Sequence, residues 1–167
     1  MQESATYSQD DFSLVWSDGR KLGYGPMDAI HEEFYLVAFR LLTCSAETAD
    51  AALTEFEEHA RSHFAEEEKW MESTAFPPRD CHVEEHATVL KSIVEVRSAI
   101  AEGRANERLV HDFALYLFRW FPGHADYLDS ALAAWISKCK YGGKPVVLRL
   151  GEGRLTGQRT TSEARPF

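Results

Sequence analysis

The sequence is poor in cysteine and in basic residues, and it contains no long apolar run. Its three cysteines are widely spaced and form no C-x-x-C pair, a pattern typical of a chain from a reducing compartment. No apolar stretch approaches the ~20 residues of a membrane span, and the polar, acidic start lacks the basic and apolar regions of a signal peptide. We therefore expect a cytoplasmic protein without a membrane span.

Acidic residues outnumber basic ones by 27 to 18, and the resulting formal charge of −9 argues against a nucleic-acid partner. Residues 138–167 depart from this balance, since they hold seven Lys or Arg and two Asp or Glu. We predict one domain over residues 1–138, including an N-terminal arm, and a C-terminal tail or strap over residues 139–167. A chain of 167 residues can bury a core without structural metal, so a metal bound here would serve a function.

Apolar residues recur at intervals of three and four in four long segments, the period of a helix with one buried face. The loops between these segments are short, and Pro77 and Pro78 separate the second from the third. The sequence thus predicts an all-α fold, an up-down antiparallel four-helix bundle with a nonhelical arm over residues 1–25. The predicted helices are Pro26 to Thr43, Ser45 or Thr48 to Ser73, a third from the N-cap Asp80 to Gly103, and Asn106 to Ile136.

The fourth segment contains Pro122 and Gly123 within its apolar pattern. An interior proline costs about 3 kcal/mol, because it removes a hydrogen bond and clashes with the preceding turn. We predict a kink at this point, or two abutting helices with Pro122 in the first turn of the second. Either arrangement would re-aim His124, which follows directly.

Five of the seven histidines, with one glutamate and one aspartate, are spread over all four segments. The pairs His63/Glu67 and His82/His86 are each four residues apart, so each pair lies on one side of a helix. Burying these groups without a metal would leave costly unpaired atoms, and we interpret the set as metal ligands. The seven predicted ligands are His31, His63, Glu67, His82, His86, His124 and Asp129.

The ligand types narrow the choice of metal. Imidazole and carboxylate without thiolate suit iron, and less exclusively zinc, copper or manganese. Seven protein ligands exceed what one tetrahedral zinc needs, whereas two metals bridged by Glu67 and Asp129 would use all seven. His59 and His111 are interpreted as ordinary surface or core histidines. His59 has the alternative of lying behind the ligand His63, one turn away, or of lining a channel.

The sequence around these ligands resembles that of the hemerythrins, in particular the bacterial hemerythrins. The resemblance covers about Phe12 to Lys138, including an N-terminal arm from Trp16 through Leu22-Gly23-Tyr24. All seven ligand positions are present in order. The matching motifs are Met27-Asp28 before His31, His63-Phe64-x-x-Glu67-Glu68-x-x-Met71, Phe76-Pro77 before His82-x-x-x-His86, and Trp120-x-x-x-His124-x-x-x-x-Asp129.

The resemblance implies a centre of two iron ions (Fe2+ or Fe3+) and no haem. One iron would be held by three histidines and the other by two, with both carboxylates and an oxo or hydroxo oxygen bridging them. The first iron would then be coordinatively full, and the second would keep one open position, which binds dioxygen in this family. The implied groups are His82, His86 and His124 for the first iron, His31 and His63 for the second, and Glu67 and Asp129 as bridges.

Reversible oxygen binding needs a dry, narrow pocket. Aromatic residues next to the ligands fit this requirement, and Ala125 stands where the family commonly has a branched apolar residue. We expect the smaller side chain to widen the pocket and to speed autoxidation relative to an oxygen carrier. The predicted pocket residues are Phe34, Phe64, Trp120, Phe121 and Ala125.

These features predict reversible dioxygen binding for storage, transport or delivery to an oxygen-consuming enzyme, and not catalysis. Sensing of oxygen, nitric oxide or redox state through a signalling partner ranks second. The sequence shows no output domain, which favours a carrier over a built-in receptor, but the basic tail could bind a partner. A di-iron peroxidase or oxidase ranks third, since it would need a proton donor in the pocket, for which Tyr24, Tyr35 and His59 are candidates. By analogy with bacterial members, we expect a monomer.

Overall fold

The computed structural model describes residues 14–104, 106–143 and 147; residues 1–13 of the predicted arm and most of the predicted tail lie outside this range. A π-helical turn, Ala125–Asp129, joins the last two helices into one continuous segment. Apart from a short 3-10 turn in the arm, Asp18–Arg20, the described residues therefore form four helical segments and no strand, the all-α bundle that the sequence predicts. The helices are α1 (Gly25–Thr43), α2 (Ala49–Ser73), α3 (Arg79–Ala101), α4 (Glu107–His124) and α5 (Ser130–Tyr141).

Helical segments adjacent in the chain pack against each other, and α1 also packs against α4, which closes the bundle. The last three helical residues, 139–141, belong to the segment predicted as tail. Among the described helices, none is both long and apolar enough to cross a membrane.

The buried apolar residues fall into two clusters. On α1, Met27 belongs to one cluster and Phe34 to the other, and the predicted ligand His31 lies between them. On α2, Phe64 and Met71 flank Glu67 in the same way. The predicted ligands thus form a polar layer between two apolar cores. Burial of the apolar residues in these cores offsets the free-energy cost of removing the charged groups of the layer from water.

Asp28 fixes the arm to the start of α1. Its two carboxylate oxygens accept hydrogen bonds from the backbone N–H groups of Leu22 at 2.6 Å and Gly23 at 3.0 Å. Gly23 has φ 88°, a left-handed conformation that glycine adopts without steric cost. Because Asp28 lies in the first turn of α1, this anchor also fixes the helix that carries His31.

One prediction about helix boundaries was wrong, and so was one of the two alternatives for Pro122, that a helix begins there. Pro78, and not Asp80, occupies the N-cap of α3; Asp80 lies in the first turn, where its charge suits the helix dipole. α4 runs through Pro122, so no helix begins there, and the irregular turn starts at Ala125. The buried face around the proline, with Phe118 and Phe121 almost fully enclosed, outweighs the proline's cost of about 3 kcal/mol.

Candidate metal centre

The seven predicted ligands converge in the polar layer, although they come from all four helical segments. Each of their side chains is at most 2% exposed. Every histidine of the set directs Nε2 towards a carboxylate oxygen of Glu67 or Asp129. The arrangement is a set of buried nitrogen and oxygen donors around a common centre.

Glu67 lies in the middle, and its two oxygens face different histidines. Oε1 is 3.0 Å from Nε2 of His63 and 3.7 Å from Nε2 of His31. Oε2 is 3.1 Å from Nε2 of His86 and 3.3 Å from Nε2 of His82. This carboxylate therefore spans two groups of imidazoles.

Asp129 divides the histidines in the same way. Its Oδ2 is 3.2 Å from Nε2 of His31, whereas its Oδ1 is 3.0 Å from Nε2 of His82 and 3.3 Å from Nε2 of His124. Nε2 of His124 also lies 3.2 Å from Nε2 of His86. The donors therefore form two compact groups that share Glu67, and within each group the donor atoms lie within 4.8 Å of one another. One group is Glu67 with His82, His86 and His124, and the other is Glu67 with His31 and His63.

The π turn explains how His124 and Asp129 reach the same centre. An α-helix rotates about 100° per residue, so residues five apart would point about 140° away from each other. In the π turn the backbone N–H of Ser130 instead donates to the carbonyl of Ala125, five residues back. The wider turn brings residues five apart to one side, and the spacing of these two ligands is the sequence signal that predicts it.

The buried carboxylates raise the pKa of two of the histidines of the centre. Burial alone lowers the pKa of His31, but the carboxylates of Asp129 and Glu67 outweigh it and raise this pKa to about 9. The same opposing causes raise the pKa of His82 to about 9. Burial favours the protonated form of both carboxylates, yet the surrounding imidazoles hold the pKa of Glu67 and of Asp129 well below the usual range.

The residues present fit a bound metal. Several donor atoms are buried and have no hydrogen bond of good geometry within the described residues: Nε2 of His31 and of His82, Oε2 of Glu67, and both carboxylate oxygens of Asp129. Such atoms are costly unless something else satisfies them. Lone pairs aimed at a shared centre produce this pattern, and imidazole with carboxylate is a donor set that iron accepts.

Aromatic rings cover the side of the centre that holds three histidines. Phe64 stacks on His86 with ring centroids 3.9 Å apart and an angle of 7° between the planes. The ring of Trp120 lies 4.4 Å from that of His124, and its indole N–H donates to Glu85. These contacts fix the orientation of two imidazoles.

The other side is covered by Phe121, whose ring lies 5.0 Å from that of His31 and 6.4 Å from that of His63. Phe34 stacks on Phe121 at 4.0 Å. Ala125 is buried in the same apolar cluster. Among the predicted pocket residues, Phe121 thus contacts both histidines of the two-histidine side, and Phe34 supports it from behind.

The two remaining histidines differ in their surroundings. His111 directs Nε2 to the carbonyl oxygen of Cys44 at 2.8 Å, a contact that joins α4 to the end of α1. His59 is buried next to the centre, with its ring 5.5 Å from that of His63 and Nδ1 3.5 Å from Oε2 of Glu33. Burial and the neighbouring histidines lower the pKa of His59 to about 4, so its imidazole is neutral at pH 7.

A closed bundle with a buried centre of five histidines and two carboxylates defines a cation-binding helical-bundle protein. Residues 22–136 match the Hemerythrin HHE cation binding domain, and the chain belongs to the hemerythrin family. The family match, together with the buried histidine and glutamate cluster, makes it a non-haem iron, oxygen-binding protein.

Two similar proteins carry the name bacteriohemerythrin. The one from Ralstonia nicotianae is 36% identical over 127 residues, which cover 75% of this chain and 90% of that protein. The one from Stenotrophomonas maltophilia is 27% identical over 124 residues, covering 72% of this chain and 79% of that protein. No solved structure gives a significant match to the chain.

Proposed function

We propose that this protein binds dioxygen reversibly at a di-iron centre and serves oxygen storage, transport or delivery. The observation that supports this most is the unequal division of the histidines, three on one side and two on the other, with both carboxylates spanning the two groups. His82, His86 and His124 would hold one iron, and His31 and His63 the other. The side with two histidines has one donor fewer, so an added small molecule would fit there.

Iron, when bound, supplies the coordination position and the electrons that oxygen binding requires. The chain's own residues supply the surroundings: Glu67 and Asp129 hold the two sides at a fixed separation, and the burial of all seven side chains excludes bulk water. Phe121 presents its ring at right angles to the ring of His31, which keeps the two-histidine side apolar. A dry site of this kind favours release of oxygen over loss of peroxide.

Of the three candidate proton donors, Tyr24 is engaged away from the centre, which supports binding over catalysis, whereas Tyr35 and His59 lie beside residues that cover or form the centre. The hydroxyl of Tyr24 accepts a hydrogen bond from Lys140 at 2.8 Å, and its ring belongs to the apolar cluster of Met27 and Leu132. Tyr35 packs against Phe121, at 5.8 Å between ring centroids. A cytoplasmic location, a monomeric state and delivery to an oxygen-consuming enzyme stay predictions.

The function is tested by the optical spectrum of iron-loaded, anaerobically reduced protein, recorded after air and again after argon. We expect a visible absorption band that forms with air and fades under argon over repeated cycles. Irreversible oxidation on the first exposure, with peroxide released or consumed, would contradict a carrier and favour a sensor or an oxidase.

Ala125→Leu is expected to slow autoxidation severalfold, because the larger side chain adds apolar volume to the buried cluster beside the centre and excludes water. The measurement is the decay of the oxygenated band in air. Ala131→Leu, on the exposed surface of α5, adds the same atoms away from the centre and is expected to leave the rate unchanged. Equal rates in Ala125→Leu and the unmodified protein would show that residue 125 does not limit water access.

A further inference from the structure

A groove between α1 and α2 extends from the protein surface to His63, a predicted ligand of the candidate metal centre. Its volume is about 360 Å³, and no lysine or arginine is among the described residues that line it. The lining contains four glutamates and two histidines: Glu33, Glu55, Glu58, Glu66, His59 and His63. Since His63 is one of the predicted ligands, the groove reaches one side chain of the centre.

The glutamates give the groove a negative potential that its surroundings offset only in part. Glu55 is paired with Arg40 and Glu66 with Lys69, and both partners lie outside the lining. Glu33 is 65% exposed and directs a carboxylate oxygen to an imidazole instead. A groove lined by one sign of charge raises the local concentration of the opposite ion.

His59 stands between these carboxylates and the centre. Its side chain is only 6% exposed, and Nδ1 lies 3.5 Å from Oε2 of Glu33. Its Nε2 is buried without a hydrogen-bond partner in the part of the chain that the structure describes. The ring centroid of His59 lies 5.5 Å from that of His63, the next imidazole towards the centre. Nε2 of His63 in turn lies 3.0 Å from Oε1 of Glu67.

The donors thus form a continuous series from surface to interior: carboxylate, imidazole, imidazole, carboxylate. Ordinary packing does not account for an imidazole nitrogen left unpaired in this series, because such an atom costs free energy. A cation that passes His59 on its way towards His63 would satisfy this nitrogen. The ligands themselves are fully enclosed, so a metal ion needs some route through the bundle.

We propose that this groove is the entry path for Fe2+, and that Glu33 and His59 form a transient cation-binding site on it; the proposal rests on the proposed di-iron function. A hydrated divalent ion is attracted by the carboxylates and exchanges water for carboxylate and imidazole donors. It then passes to His63 and into the side of the centre with two histidines. Dioxygen is neutral and apolar and gains nothing from four glutamates, which is why the groove suits a cation.

The test measures metal uptake and not oxygen binding. Metal-free protein is mixed with Co2+, and the visible bands of cobalt bound to imidazole are followed in time by stopped flow. Glu33→Gln/Glu58→Gln is expected to slow uptake by about tenfold or more and to weaken its dependence on salt. The final Co2+ content per chain and the final spectrum are expected to match those of the unmodified protein.

Glu84→Gln/Glu95→Gln is the matched control, because it removes two exposed carboxylates from α3 and changes the net charge equally. It is expected to leave the uptake rate within twofold of the unmodified protein. A second variant, His59→Gln, is expected to slow uptake without lowering the final Co2+ content. If this buried substitution prevents folding, Glu33→Gln/Glu58→Gln and its control decide whether the groove is the entry path.

Uptake by Glu33→Gln/Glu58→Gln at the unmodified rate, or an equal slowing in the control pair, would overturn the entry path. If the substitutions changed only the rate at which iron-loaded protein binds oxygen, the entry path would also be overturned. The groove would then be assigned to oxygen. If the unmodified chain takes up no Co2+ or Fe2+ at the centre, the proposed function fails. If the chain bound two ions at a rate that the groove substitutions did not change, only the entry path would be refuted.

Discussion

Glu67→Gln is expected to remove most of the chain's bound iron and to abolish reversible oxygenation, while the helical content stays unchanged. Glu67 is completely buried, and its two oxygens face the two different groups of histidines. The amide keeps the shape of the side chain but loses the negative charge, and its nitrogen is a poor metal ligand. One substitution therefore weakens both halves of the centre at once. The measurement is iron per chain, with circular dichroism for the fold.

Glu68→Gln is the control for this result. It changes the next carboxylate along α2, which lies about 100° further round the helix, and it is expected to keep the iron content of the unmodified protein. If Glu67→Gln retained two irons per chain, the carboxylate would not bridge them. If it retained one, the comparison with His31→Gln and His86→Gln would show which half depends on the bridge.

Much of the fold and the candidate site could be predicted from the sequence, because both depend on short-range periodicity. The spacing of three and four in the apolar residues fixes which face of each helix is buried, and histidines within that face must share its interior. Pairs such as His63 and Glu67, four apart, lie on one side of a helix whatever the rest of the bundle does. The structure brings all seven predicted side chains together; that they ligate iron stays a prediction.

The π turn could not be read from propensity. Pro122 is the residue that breaks the usual rule of helix composition, but α4 passes through it, and the irregular backbone lies at Ala125–Asp129. What requires the turn is tertiary: His124 and Asp129 must both face the centre although they are five residues apart. Only a ligand spacing that no α-helix satisfies could have indicated it.

The acidic groove was missed for a different reason. Glu33 lies on α1, and Glu55, Glu58 and Glu66 lie on α2, where each looks like an ordinary exposed acid on the polar face of a helix. Their proximity depends on how α1 packs against α2, which periodicity does not determine. The one signal in the sequence was the position of His59, one turn before His63. That position fitted a residue that lines a channel as well as a residue of the core.

The free energy of unfolding of the metal-free protein is expected to fall by several kcal/mol as the pH rises from 6.5 to 9. His31 and His82 have a pKa of about 9 in the folded chain, against 6.5 for an ordinary histidine. The folded state therefore binds these two protons more tightly than the unfolded state does. Their stabilisation is fully present below pH 6.5 and is lost as the pH rises through 9. Urea unfolding followed by circular dichroism at several pH values measures it.

Metal loading is expected to remove this decline. Ligand histidines bind metal in the deprotonated form, so the metal takes the place of the two protons that hold the carboxylates together. Near pH 6.5 the unfolded chain still carries histidine protons that the loaded folded chain does not, so the stability of the loaded protein rises as these protons are lost and then stays level. The loaded protein is also more stable throughout, because the metal binds the folded state more tightly than the unfolded state.

His31→Gln is expected to reduce the decline of the metal-free protein by about half, because it removes one of the two histidines with a raised pKa. His111→Gln is the control: its ring contacts the Cys44 carbonyl outside the cluster, so the substitution can shift stability at every pH but should leave the slope unchanged. A metal-free protein whose stability does not change between pH 6.5 and 9 would mean that the two histidines hold no proton between the carboxylates. The donors would then rest apart without metal, and binding would have to draw them together.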